Sequence, residues 1–229
     1  MKEEVYSMNV IDALNSRSTI RAFNPDPVGR ETILKILEAA TRAPSWANTQ
    51  PWELFVAGGE ALERLREVYS VRFQQGEPRN PDIPGPTTWP PAIQERMRAL
   101  MSVLARSIAT ERSPDDVMRQ KFFADNYRFF GAPAVVFLCM DRSLTPWSMF
   151  DMGSLAQCIM LAAQQYGVDS AIAFMFASYP DLIRAELDIP DDLAILIGIA
   201  LGYADADHLQ DRHRSSRRSL KDVVRCKGI

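Results

Sequence analysis

From Ala134 to Met140 every side chain is apolar, directly after the break Gly131-Ala132-Pro133. A run this long without alternation reads as a strand covered on both faces. A chain built around it must supply one layer of structure above that strand and another below. Three further segments read as strands: Glu53 to Ala57, ending at Gly58-Gly59; Ser170 to Phe176, entered through Gly167-Val168-Asp169; and Leu193 to Tyr203.

Caps and periodicity mark the covering helices. Asn9 caps a short helix to about Ser16, with Val10, Ile11 and Leu14 on one face. Glu31 to Arg42 places Ile33, Leu34, Ile36, Leu37 and Ala40 at core spacing, and Glu60 to about Gln74 turns Leu62, Leu65 and Val68-Tyr69 inward. Ile93 to about Glu111 carries Met97, Leu100, Met101 and Leu104 on one face. Ser113-Pro114-Asp115-Asp116 starts a helix that runs to about Arg128, Thr145-Pro146 opens a long one through Tyr166, and Ser178 with Pro180 and Asp181 starts a short one to Leu187. Helices and strands mix rather than strictly alternate, so the expectation is a layered α+β fold, residues 1–229 forming a single domain.

Several functions are argued against. A net charge of -3 does not suit a polyanion binder, and the basic tail (Arg212, Arg214, Arg217, Arg218, Lys221, Arg225, Lys227) lacks stacking aromatics, so no nucleic-acid partner is expected. No apolar run spans a bilayer and Met1 to Val5 opens no signal-peptide core, so the expected location is cytoplasmic, without a membrane partner. Cys139, Cys158 and Cys226 have neither disulfide-framework nor zinc spacing. Walker A, GxGxxG and GxSxG patterns are absent, and the two histidines, His208 and His213, both lie in the tail. No metal site and no catalytic side chain is expected; if the protein is an enzyme, a bound cofactor carries the hard chemistry.

Three stretches could hold a ligand. Arg17-Ser18-Thr19-Ile20-Arg21 offers two guanidinium forks and two hydroxyls to a phosphate, although it follows a helix C-terminus, whose dipole repels anions. Pro44-Ser45-Trp46-Ala47-Asn48-Thr49-Gln50-Pro51-Trp52 is a polar loop braced by prolines between a helix and a strand. It suits a planar polar ligand, or serves as a rigid connector. Gly76 to Pro91 holds Pro78, Pro81, Pro84, Pro86, Pro90 and Pro91, which bars regular structure and leaves a linker or a lid.

Together these segments resemble the FMN-dependent nitroreductase family. Arg17-Ser18-Thr19-Ile20-Arg21-Ala22-Phe23 is similar to its Arg-Arg-Ser-x-Arg-x-Phe motif, with Ser18 for the second arginine and Thr19 for the serine. Ala43-Pro44-Ser45-x-x-Asn48-x-Gln50-Pro51-Trp52 resembles its Ala-Pro-Ser loop. Asp151-Met152-Gly153 with Leu161-Ala162-Ala163 resembles its central helix, Leu196 to Tyr203 its late strand, and Arg217 to Val224 its closing basic motif. The likeness covers nearly the whole chain outside Gly76 to Arg119.

The resemblance implies a central, mainly antiparallel or mixed sheet flanked by helices. It implies an intertwined homodimer with FMN in two interface pockets and a C-terminal segment crossing to the partner. Arg17, Thr19 and Arg217 or Arg218 would hold the FMN phosphate, with Ser18 contributing through its backbone. Arg21 would sit near the N1–O2 edge of the ring, and Arg128 could add another cation. Pro44, Ser45, Trp46 and Asn48 would reach the flavin of the other chain. Ala173, Phe174 and Met175 would lie near N5, where relatives often carry Gly or Glu. Residues 76–119 would form a lid, with Trp89, Arg96 and Met97 at the substrate. The implied reaction passes a hydride from NAD(P)H through flavin N5 to a small-molecule electron acceptor, a nitroaromatic or quinone, in two steps. Alternatives on the same scaffold are a flavin reductase, a dehalogenase-like or ene-type reductase, or a flavin-binding protein without turnover.

Overall fold

The computed structural model describes residues 8–108, 115–207 and 214–228. The apolar run forms strand β2 (Ala134–Asp141), buried at every position but its last. It lies between β1 (Glu53–Gly58) and β4 (Leu193–Gly202), and β3 (Asp169–Ala173) pairs with the far side of β4. All three pairings are antiparallel, so the mixed alternative is corrected. The continuous run reflects two covered faces, not parallel pairing.

Alternate β2 side chains enter two different cores. Val135, Phe137 and Cys139 meet α3 (Gly59–Gln74), α5 (Asp115–Tyr127) and α7 (Pro180–Leu187) through Leu62, Leu65, Tyr69, Tyr127 and Ile183. Ala134, Val136, Leu138 and Met140 meet α2 (Arg30–Ala40) and α6 (Pro146–Gln165) through Ile36, Leu37, Leu155 and Ile159. The arrangement is helix, sheet, helix. The remaining helices are α1 (Val10–Ser16), capped by Asn9, whose side-chain oxygen accepts from the Asp12 amide at 2.9 Å; α4 (Pro91–Ile108); and α8 (Leu220–Val223).

The first core is rich in aromatics. Tyr69 packs on Phe129 and on Tyr179, each with ring centroids 5.2 Å apart, and its hydroxyl donates to the Phe176 carbonyl at 2.7 Å. Tyr69→Phe keeps the ring and orphans that buried carbonyl. The expected loss is about 1–3 kcal/mol by denaturant unfolding with an unchanged m-value.

The fold departs from expectation where packing overrides local pattern. The third strand ends at Ala173, and Phe174–Ala177 forms a tight 3-10 turn with Phe176 fully buried. Gly198 opposite makes room for it: a Cβ there would lie 2.8 Å from the Phe176 Cβ. Leu34 and Val68 remain exposed, since the stripe that fits the sheet is narrower than the apolar pattern. Ser178 caps nothing; Tyr179 precedes α7, and the Ser178 hydroxyl is buried without a hydrogen-bond partner. Ser113, Pro114 and both histidines lie outside the described residues.

Residues 75–90 have no regular structure, yet they are fastened to the sheet. The Asn80 amide donates to the Ser178 carbonyl at 3.0 Å. The Asp82 carboxylate, 9% exposed, takes Arg142 and Arg184 at 2.7 Å each and the Ile195 amide at 2.8 Å. A free linker is thereby ruled out for this stretch.

Candidate functional site

The segment after α1 runs beside β3. Thr19 bridges to Ser170 in parallel, the Ile20 amide donates to the Ser170 carbonyl at 3.1 Å, and the Phe23 amide donates to the Phe130 carbonyl at 3.1 Å. These bonds bury Ile20 and Phe23 and leave Arg17, Ser18, Thr19 and Arg21 on the open side. There they line a cavity of about 430 Å³ with Leu14, Asn15, Leu100, Arg214, Ser215 and Arg217. A site of this size suits a small molecule.

Among the described residues, four arginines, three hydroxyl side chains and no acid face this cavity. Burial first, then the Arg217 and Arg214 charges, holds the Arg17 guanidinium below its ordinary range. Gathering like charges in a half-buried hollow is unfavourable unless an anion joins them. Arg214 also answers the helix-dipole objection: it donates to the last carbonyls of α1, reaching Ser16 at 2.9 Å and also Asn15. A guanidinium on those orphan carbonyls offsets the negative helix end. This donor set fits the phosphate of FMN. Sequence reasoning placed Arg214 only in a basic tail; nothing local distinguishes it from its neighbours, because its role comes from a contact across 198 positions.

Of the two tail arginines left open, Arg217 lines the cavity, whereas Arg218 turns away and donates to the Asp222 carbonyl at 2.6 Å. Arg128 is exposed and does not line it; its carbonyl accepts from Arg66 at 3.1 Å, fixing the turn at Phe129 and Phe130. Trp89, Arg96 and Met97 are exposed and also lie off the cavity. Among the described residues of α4, Leu100 lines the cavity instead.

The proline-braced loop is held in an unusual backbone. Ala47, Asn48 and Gln50 all have positive φ, at 49°, 59° and 46°. Left-handed non-glycine residues cost about 1–3 kcal/mol each unless their surroundings fix them. Here the Trp46 amide donates to the buried Asp151 carboxylate at 3.2 Å, and the Ser45 hydroxyl accepts from the Gln50 amide at 3.0 Å. Pro44, Ser45 and Trp46 line a second hollow with Trp147, Phe150 and Ser154, separate from the arginine cavity. Asn48 is exposed on the same turn.

Ala173, Phe174 and Met175 are half-buried at the end of β3. The proline-rich segment lies against them: Gly85 faces the Phe174 ring, and Arg79 Nη1 reaches the Met175 sulfur at 3.1 Å. Burial raises both the Cys139 thiol, to about 12, and the Cys158 thiol, so neither is a thiolate at neutral pH. Among the described residues no cluster of His, Cys, Asp or Glu could hold a metal ion, and no helix is long and apolar enough to cross a membrane.

The model of the nitroreductase family matches residues 14–203. A nitrobenzene nitroreductase from Ectopseudomonas oleovorans is 33% identical over 93% of this chain and 94% of its own. The nitroreductase NfnB of Mycolicibacterium smegmatis is also 33% identical, over 93% of this chain and 90% of its own. Among solved structures, the FMN- and NADPH-dependent nitroreductase NfnB from Sphigopyxis sp. strain HMH superposes with a TM-score of 0.91 at 32% identity, covering 97% of this chain and all of its own, 100%. With the motifs in their expected order and the same fold beneath them, the chain belongs to the nitroreductase family.

Proposed function

We propose that this protein is an FMN-dependent oxidoreductase of the cytoplasm that takes a hydride from NAD(P)H and delivers it to a small oxidised acceptor, nitroaromatics first among them. The observation that carries the reading is the cavity shared by Arg17, Arg21, Arg214 and Arg217. When bound there, FMN supplies the redox chemistry at its N5.

The chain's own groups bind and orient. Arg17 and Arg217, with Thr19 and the Ser18 backbone, take the phosphate, and Arg214 adds positive charge. Arg21 provides a fixed cation for the flavin ring, where charge accumulates on reduction. Backbone N–H groups of Ala173, Phe174 and Met175 would serve the reactive edge of the bound flavin. Pro44, Ser45, Trp46 and Asn48 serve the flavin of a second copy, in a homodimer whose tail crosses over. That assembly is supported by apolar side chains left in water: Phe150 is 81% exposed, Trp147 68%, Val10 68% and Leu220 72%. Residues 76–119 act as a lid within one domain, with Trp89, Arg96 and Met97 on its acceptor side.

Steady-state rates with nitrobenzene, a quinone and free flavin test the reading. Turnover of nitrobenzene, with parallel lines in initial-rate plots, is expected when donor and acceptor use one pocket in turn. Turnover of free flavin alone would make the protein a flavin reductase on the same scaffold.

A further inference from the structure

Most arginines on the α3–α7 side of the sheet are neutralised. Arg64 pairs with Glu186 at 2.8 Å, Arg72 with Glu77 at 3.1 Å, and Arg142 and Arg184 share Asp82. Arg79 differs. Among the described residues no carboxylate pairs with it, and its guanidinium rests on the Met175 sulfur. A thioether is a weak acceptor, so most of the five N–H donors remain available.

Its location is fixed from both sides. The Tyr179 hydroxyl donates to the Glu77 carbonyl at 3.2 Å, the Asn80 amide donates to the Ser178 carbonyl at 3.0 Å, and Asp82 is clasped two residues later. An exposed, unneutralised guanidinium is thus tethered over the segment Ala173 to Met175. An anion arriving with a stacked ring would meet this exposed cation beside Met175.

We infer that Arg79 is a specificity-determining residue, which recognises a carboxylate or phosphate carried by the molecule that enters the site. The inference rests on the proposed flavin-site role of Ala173 to Met175. A planar fork binds either group bidentately. The anion can belong to the acceptor, as in a nitroaromatic carboxylate, or to the donor, as the 2′-phosphate that distinguishes NADPH from NADH.

The test uses FMN-loaded wild type, Arg79→Gln and Arg79→Lys, with nitrobenzene or 4-nitrobenzoate as acceptor and NADH or NADPH as donor. Calorimetric binding of benzoate and of 2′-phosphorylated adenosine gives a second readout. Arg79→Gln is expected to lower kcat/KM about tenfold through KM for the anionic reactant, while nitrobenzene with NADH stays within about twofold. The matching probe should lose affinity by a similar factor, and Arg79→Lys should recover part of it. A loss confined to 4-nitrobenzoate and benzoate assigns the anion to the acceptor; a loss confined to NADPH and its fragment assigns it to the donor. Equal changes across all four pairings, or none, would overturn the inference. If the wild type fails to turn over nitrobenzene with NADH and with NADPH alike, the flavin-site reading has failed and the inference falls with it.

Discussion

Arg17→Ala is expected to weaken FMN binding by about 10- to 100-fold, read by quenching of flavin fluorescence on titration into apoprotein. A charge-assisted hydrogen bond is worth roughly 1.5–3 kcal/mol, and about 1.4 kcal/mol is a factor of ten. Arg17, like Arg21, is half-buried, so its field is screened less than that of the exposed tail arginines. Arg217→Ala should share the defect to a smaller degree. Arg218→Ala should not, because Arg218 faces the Asp222 carbonyl outside the cavity. The wild-type affinity should fall with added salt, as expected of a phosphate held by exposed and half-exposed cations. Unchanged FMN affinity in Arg17→Ala would remove the arginine cavity from the account.

Asp82→Ala should produce the largest loss of stability, about 3–5 kcal/mol, because it strands buried charge. The Arg184 side chain is only 12% exposed and holds Asp82 at 2.7 Å, with the exposed Asp191 farther off at 3.7 Å; Arg142 and the Ile195 amide each lose an acceptor in the same stroke. For a chain of this size the drop corresponds to roughly 6–20 °C in Tm. Burial by itself would raise the Asp82 carboxyl; the Ile195 amide, Arg142 and Arg184 together outweigh it, and the net direction is down. A carboxyl depressed in the native state stabilises fully above its unfolded value, about 3.9, and loses that contribution as the pH falls through the lower native value. The gap in Tm between wild type and Asp82→Ala should therefore be wide at pH 7 and close in acid below about pH 4. A gap that persists unchanged to the lowest pH would mean that the ion pairs do not hold the loop.

Much of this was legible before the structure. The run Ala134 to Met140 announced two covered faces, α1 began at its Asn9 cap, and α2, α3 and α6 fell where periodicity placed them. Local rules failed where a distant contact decided. The end of β3 at Ala173 depends on the space over Gly198, far along the chain. The difference between Arg217 and Arg218, and the role of Arg214, depend on how the tail returns to the end of α1, which no periodicity encodes. Asp82 looked like one more polar residue among prolines until Arg142, Arg184 and the Ile195 amide converged on it. The reading of Arg128, Trp89, Arg96 and Met97 as site residues came from family resemblance, and their side chains lie away from the arginine cavity in the single chain.

The most direct measurement is the visible spectrum of the purified protein, with its mass in solution, under anaerobic conditions. The account predicts a dimer with flavin absorption, present as isolated or after adding FMN, that bleaches on adding NAD(P)H and returns on adding nitrobenzene. A colourless monomer that takes up no FMN, or a bound flavin that NAD(P)H leaves yellow, would contradict it.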